Sequence, residues 1–204
     1  MKIIILGTAY PFRGGLATFN ERLARQLQAE GHQVEVITFT LQYPSFLFPG
    51  KTQYSSEQPP TDLHITQRVN SCNPFNWLRV GRYIRRQQPD LLITCYWMAF
   101  FAPCYSIIER IAKRNGKTRT IALVHNMIPH EPSLLDKLFA PFYVRSTDGF
   151  VALSDSVVQD INHFDKNNKP KTSYPHPIYD HYGDPMTKQE ACQALNLDPN
   201  NQYM

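Results

Sequence analysis

The sequence opens on Lys2-Ile3-Ile4-Ile5-Leu6 and breaks at Gly7. Four consecutive aliphatic residues with no polar alternation require burial on both faces. A strand finds that inside a parallel sheet covered by helices on either side. After Gly7 the chain runs through Pro11, tightens at Gly14-Gly15 and takes up helical spacing. Leu16, Phe19, Leu23 and Leu27 then form one stripe, with Glu21, Arg25 and Gln28 away from it. Gly31 is placed to end this helix, and residues 33–39 read as a second strand. Strand, helix and strand in such a short stretch make a βαβ unit, with the right-handed crossover such units adopt.

The alternation continues. Strands are expected over residues 63–69, 91–96, 119–125, 149–153 and 172–174. Helices are expected over 74–88, 100–113 and 133–146, the last broken near Pro141, and from a Ser154-Asp155 cap to about residue 164. The expected fold is α/β: a Rossmann-like, doubly wound, mainly parallel sheet with helices on both faces. Residues 41–62 interrupt it with Pro44, Pro49, Pro59 and Pro60 among Tyr43, Phe46, Phe48 and Tyr54. A connection this long is uncommon without a function or short structure of its own. Near the end, Thr187 and Glu190 signal one more helix, with Ala191, Ala194 and Leu195 expected inward. A turn at Asp198-Pro199 and the first residues of another strand follow. Residues 1–182 are thus expected to form one domain, and residues 183–204 to be a linker opening a second.

Composition narrows the function classes. The chain has 204 residues and a net charge of +4. That balance suits an anionic substrate or lipid surface and is too weak to argue for nucleic acid. Its four cysteines form no C-x-x-C pair, so a reducing, cytoplasmic setting is expected. No apolar segment reaches the roughly 18 residues that span a bilayer. On the helix over residues 74–88, Trp77, Leu78, Gly81 and Ile84 face inward while Arg79, Arg82 and Arg86 share the opposite face. Such a face is ordinarily just solvated; the alternative is contact with phosphate or anionic lipid at the inner face of a membrane. His176 and His181 lie five apart with no third ligand nearby, so no metal site is expected.

The junction at Gly14-Gly15 carries the chemistry. A helix start directs free N–H groups and the positive end of its dipole outward, and glycine adds no Cβ to obstruct an approaching anion. The alternative is a tight turn that needs positive φ. A nicotinamide dehydrogenase shares this opening but needs G-x-G-x-x-G and an acidic residue closing the second strand. Here Gly7 leads into Thr8-Ala9-Tyr10 and the second strand ends Phe39-Thr40, so that reading fails.

Five segments, taken in order, resemble the N-terminal domain of family 4 retaining glycosyltransferases of GT-B architecture. They are Arg13-Gly14-Gly15; Glu30-Gly31-His32-Gln33-Val34; His125-Asn126; Phe150-Val151-Ala152-Leu153-Ser154; and Tyr174-Pro175-His176-Pro177-Ile178-Tyr179-Asp180. The resemblance spans about residues 2–200. It implies two Rossmann-like domains facing each other across a cleft, the N-terminal one on the acceptor side and the other binding a nucleotide-sugar donor. It implies that Gly14 and Gly15 approach the donor diphosphate and that His125 acts catalytically beside the transferred sugar. Tyr10, Arg13, Asn126 and Ser154 become candidates for acceptor or sugar contact, although Ser154 also reads as a plain helix cap. No cofactor beyond the donor substrate is implied, and no general base can be named. Catalysis in such enzymes leans on stabilising the departing diphosphate. The donor domain's Glu-seven-residues-Glu motif is not in this sequence, so these residues alone are expected to be inactive. The resemblance implies a glycan or lipid-linked acceptor. A sugar-nucleotide 2-epimerase of the same architecture, or a non-catalytic acceptor- or membrane-binding module, are the competing readings.

Overall fold

The computed structural model describes residues 1–44, 52–128, 134–177 and 184–203. Phe46, Phe48, Pro49, Ser133, the Ile178-Tyr179-Asp180 end of the crossing segment, His181 and Met204 lie outside them. The seven strands are β1 (Lys2–Leu6), β2 (Gln33–Leu41), β3 (Ile65–Asn70), β4 (Leu91–Tyr96), β5 (Arg119–Val124), β6 (Gly149–Ala152) and β7 (Lys171–Ser173). They form one sheet in the order β3-β2-β1-β4-β5-β6-β7, every neighbouring pair parallel. The expected α/β doubly wound class is therefore the one found.

Burial explains the order. Ile3, Ile4, Ile5 and Leu6 of β1 are all buried, as is β4 from Leu92 to Tyr96. These are the central strands, and they separate two apolar layers. Ile3 and Ile5 pack with Val34, Val36, Ile93 and Cys95 beneath α1 (Gly15–Ala29). Ile4 and Leu6 pack into the larger core with residues of α2 (Pro74–Gln87), α3 (Ala102–Ala112), α4 (Leu134–Ser146) and α5 (Asp155–Phe164).

Four expectations need correction. The residues of α1 closest to the sheet are Ala17, Asn20 and Ala24; Leu16, Phe19, Leu23 and Leu27 are only half-buried. Small side chains let the helix axis settle close to the strands, which moves the leucines to its flanks. Second, α4 does not break at Pro141. Its last turn is held beyond the proline by Lys169, whose ammonium donates to the carbonyls of Val144, Arg145 and Thr147 at 2.6, 3.2 and 2.5 Å. A cation there also suits the negative end of the helix. Third, α6 (Lys188–Leu195) has the expected capping box between Thr187 and Glu190, but only Cys192 is buried. Ala194 is exposed and Leu195 is 68% exposed. Tyr203, expected to begin a strand, lies in none.

Candidate functional site

The chain passes from β1 outward through β2 and β3, then restarts at β4 on the other side of β1. The loops leaving β1 and β4 therefore diverge, and the crevice between them at the carboxyl ends of the strands is where open α/β sheets bind ligands.

The loop after β1 is tied down at successive residues. The Gly7 N–H donates to the Ile37 carbonyl at 3.1 Å, and a Cβ on Gly7 would come within 2.8 Å of both Asn20 Nδ2 and Cys95 Cβ. The Ala9 N–H donates to Thr38 Oγ1 (3.1 Å) and the Tyr10 N–H to Glu21 Oε1 (2.9 Å). Asn20 Nδ2 donates to the Thr8 carbonyl (2.8 Å). Burial raises the pKa of Glu21, and the Tyr10 amide partly offsets this. Part of the long excursion supports the loop's far side. The Arg13 N–H donates to the Gln53 carbonyl, Ser55 N–H to the Pro11 carbonyl, and the Phe12 ring stacks on Tyr54 at 5.4 Å.

Gly14 then starts α1 with φ 109° and ψ 172°. A Cβ there would have open space around it, so glycine is required by the backbone rather than by crowding. Its carbonyl accepts from Ala17 and Thr18. No side chain caps the helix and no acidic residue occupies its first turn. The N–H groups of Gly15 and Leu16 have no partner within the helix, and Gly15 is exposed. Of the two sequence alternatives, positive φ accounts for Gly14, while Gly15 is free of that constraint.

Phe19, about 6 Å along the α1 axis from Gly15, links this helix start to His125. The imidazole of His125 meets the Phe19 ring edge-on at 5.0 Å, and His176 lies 5.2 Å from Phe19 and 6.3 Å from His125. The His125 N–H donates to the Tyr96 carbonyl (2.9 Å), fixing the residue just beyond β5. Burial, assisted by the neighbouring His176, pushes the pKa of His125 down to about 4. The ring is therefore neutral at pH 7 and offers hydrogen bonds rather than charge. Its Nε2 is buried without a hydrogen-bond partner.

That orphaned atom has company. Among the described residues, the buried side-chain nitrogens and oxygens without a partner belong to Thr8, Asn20, Gln53, Tyr96, Trp97 and His125. All lie at the carboxyl ends of strands or in elements packed on the β1 loop. Buried polar atoms are ordinarily satisfied, and these unsatisfied ones collect at one end of the sheet.

The remaining candidates are more scattered. Tyr10 lines a shallow pocket of about 220 Å³ with Pro59, Pro60, Leu63, Ile65 and Gln67, toward the β3 edge of the sheet and separate from His125. Arg13 and Asn126 are exposed. Ser154 caps α5, its hydroxyl accepting from the Val157 N–H and lying 2.9 Å from Ser156 Oγ. Asn20, Thr8 and Trp97 were not legible as site residues in the sequence. Asn20 is a polar residue in a helical stretch, and only the close approach of α1 turns it under the loop. No group of three His, Cys, Asp or Glu among the described residues could hold a metal ion.

The sequence profile of Glycosyltransferase Family 4 matches residues 13–175. Over 182 residues the chain is 26% identical to the N-acetyl-alpha-D-glucosaminyl L-malate synthase of Bacillus anthracis, covering 83% of this chain and 44% of that protein. Among solved structures, an alpha-glucosyltransferase in complex with UDP and a DNA 13-mer superposes with a TM-score of 0.56 at 14% identity. That match covers 87% of this chain and 43% of the other. The catalytic domain of starch synthase IV from Arabidopsis thaliana, bound to ADP and acarbose, superposes with a TM-score of 0.53 at 15% identity, covering 95% and 58%. The chain thus spans under half the length of the malate synthase and of the alpha-glucosyltransferase, and these solved structures share its fold.

Proposed function

The chain belongs to glycosyltransferase family 4, and on that premise we propose that the protein transfers a sugar, with retention, from a nucleoside-diphosphate donor to a glycan or lipid-linked acceptor. Residues 1–182 supply the acceptor-side wall of the site. The observation that carries the reading is the pairing of an uncapped helix start at Gly14-Gly15 with the buried, unpartnered Nε2 of His125, bridged by Phe19. The helix amides suit a diphosphate, whose charge grows as the glycosidic bond breaks. The neutral imidazole suits a sugar hydroxyl. Two of the similar structures carry UDP or ADP, which supports a nucleotide as the leaving group.

The test is a transfer assay on the intact protein over a panel of nucleotide sugars, read by mass shift of the acceptor. Gly15→Trp fills the approach to the helix amides and His125→Ala removes the sugar contact. Each is expected to lower kcat/KM by about a hundredfold or more, the scale seen when one electrostatic stabiliser is lost. Activity unaffected by both substitutions overturns the site assignment; no transfer with any donor overturns the reaction.

A further inference from the structure

The charge of this chain is unevenly placed. Residues 63–147 hold twelve Lys or Arg against four Asp or Glu, while the rest of the sequence holds nine against thirteen. The excess lies mostly on the layer made by α2, α3 and α4, which pack side by side in that order over the sheet face opposite α1. Only two carboxylates belong to these helices, Glu109 and Asp136, and both are buried. The outward surface of the three helices is therefore free of exposed acidic groups. It carries Arg79, Arg82, Arg85 and Arg86 on α2, Arg110 on α3, and Lys137 and Arg145 on α4, all exposed. None makes an ion pair among the described residues.

The α2 helix gives this surface a direction. Phe75, Arg79, Arg82 and Arg86 fall at spacings of four, three and four, one stripe along the helix. The inward stripe of Val80, Gly81 and Ile84 is seated on α3, so closely that a Cβ on Gly81 would meet Ile111 Cβ at 2.8 Å. The outward stripe is thus held rigidly. Phe75 heads it with 75% of its surface exposed, and Leu138 of α4, 64% exposed, adds a second apolar contact. Solvation alone explains arginines. It does not explain a large aromatic ring in water beside a row of cations with no counter-charge.

We propose that the α2–α3–α4 face is a docking surface for an anionic lipid bilayer, with the guanidinium row at the headgroup phosphates and Phe75 and Leu138 entering the interface. Basic groups near an anionic leaflet each contribute about a fivefold step in binding, and apolar side chains supply the part that salt does not screen. The surface runs along the flank of the sheet rather than across its carboxyl end. Docking there leaves the crevice open, and the proposal does not depend on the glycosyltransferase reading.

Vesicle sedimentation of the intact protein tests it, with phosphatidylcholine vesicles made with and without phosphatidylglycerol, at low and high salt. Binding is expected only to the anionic vesicles and should weaken as salt rises. The triple variant Arg79→Gln, Arg82→Gln, Arg86→Gln should bind on the order of a hundredfold more weakly. Phe75→Ser should weaken binding while leaving its salt dependence unchanged. Lys166→Gln with Lys188→Gln, exposed cations off this face, should bind like the parent. All these sites are exposed, and unchanged circular dichroism melts show that the variants are folded. The proposal is overturned by absence of binding, by equal binding to neutral vesicles, by a triple variant that binds like the parent, or by duplex DNA displacing the protein from vesicles through the same arginines.

Discussion

His125 shows how one residue joins stability to site chemistry. In an unfolded chain its imidazole would titrate near pH 6.5, whereas burial beside Phe19 and His176 holds it near 4 in the fold. Between those values the unfolded state binds more protons, so folding stability rises with pH across the window and is lost as pH falls from about 6.5 to about 4. The gap bounds this contribution at about 3 kcal/mol. We expect His125→Phe, which keeps an aromatic ring against Phe19, to flatten that part of the stability profile. Urea denaturation of parent and variant at steps between pH 7 and pH 4 measures the difference. Parallel profiles would show that His125 is not the titrating group. The position of His125 at a strand end was legible in the sequence because the strand ahead of it runs apolar from Ile121 to Val124. Its neutrality was not, because that depends on Phe19 and His176, which come from opposite ends of the chain and meet only in the folded sheet.

Among the elements, α3 carries the buried polar feature that sequence pattern concealed. Glu109 is fully buried. Its carboxyl accepts from Thr94 Oγ1 of β4 at 2.8 Å, from Ser146 Oγ of α4 at 2.6 Å, and from Thr147 Oγ1 at 2.9 Å. Thr94 Oγ1 also lies 2.6 Å from the Tyr143 hydroxyl. Burial raises the pKa of Glu109 and the hydroxyl donors pull it back. One carboxyl thereby ties two helices to a central strand, and helps keep α4 continuous past Pro141. Glu109→Ala removes one acceptor from each of three buried hydroxyls, which keep contacts to Tyr143, and leaves a void, and should cost about 3 kcal/mol. Chemical denaturation checks it, and a loss below about 1 kcal/mol would show that the network relaxes around the gap. In a sequence, Glu109 beside Arg110 reads as a surface pair. Helix periodicity put α3 in place from its apolar stripe, yet periodicity says nothing of a charged residue that turns inward to satisfy hydroxyls on other elements. Pro141 and Asn20 were obscured for the same reason: local propensity describes the residue's own segment, and in both cases partners from elsewhere decide.

The whole molecule is organised by depth from the β1–β4 pair. The strand pattern was legible from the apolar runs, and parallel pairing followed from the helical crossovers. The asymmetry of the sheet was harder to see. β1 and β4 are buried almost throughout, whereas β3 exposes Gln67 and Arg68 and β7 buries none of its three residues fully. Among the described residues the edge strands also bond on one side only, with β2 for β3 and with β6 for β7. Opening an edge strand therefore exposes little apolar surface, while opening β1 or β4 disrupts both apolar layers together. Protection against amide exchange reports the free energy of the least costly opening that frees each amide. We expect β1, β4 and β5 to exchange last, in step with global unfolding, β2 and β6 to be intermediate, and β3 and β7 to exchange early. Hydrogen–deuterium exchange followed by peptide mass spectrometry resolves this ranking. Early exchange in β1 would contradict a core centred there, and would detach the Gly14-Gly15 loop from the rigid support that the proposed anion site requires.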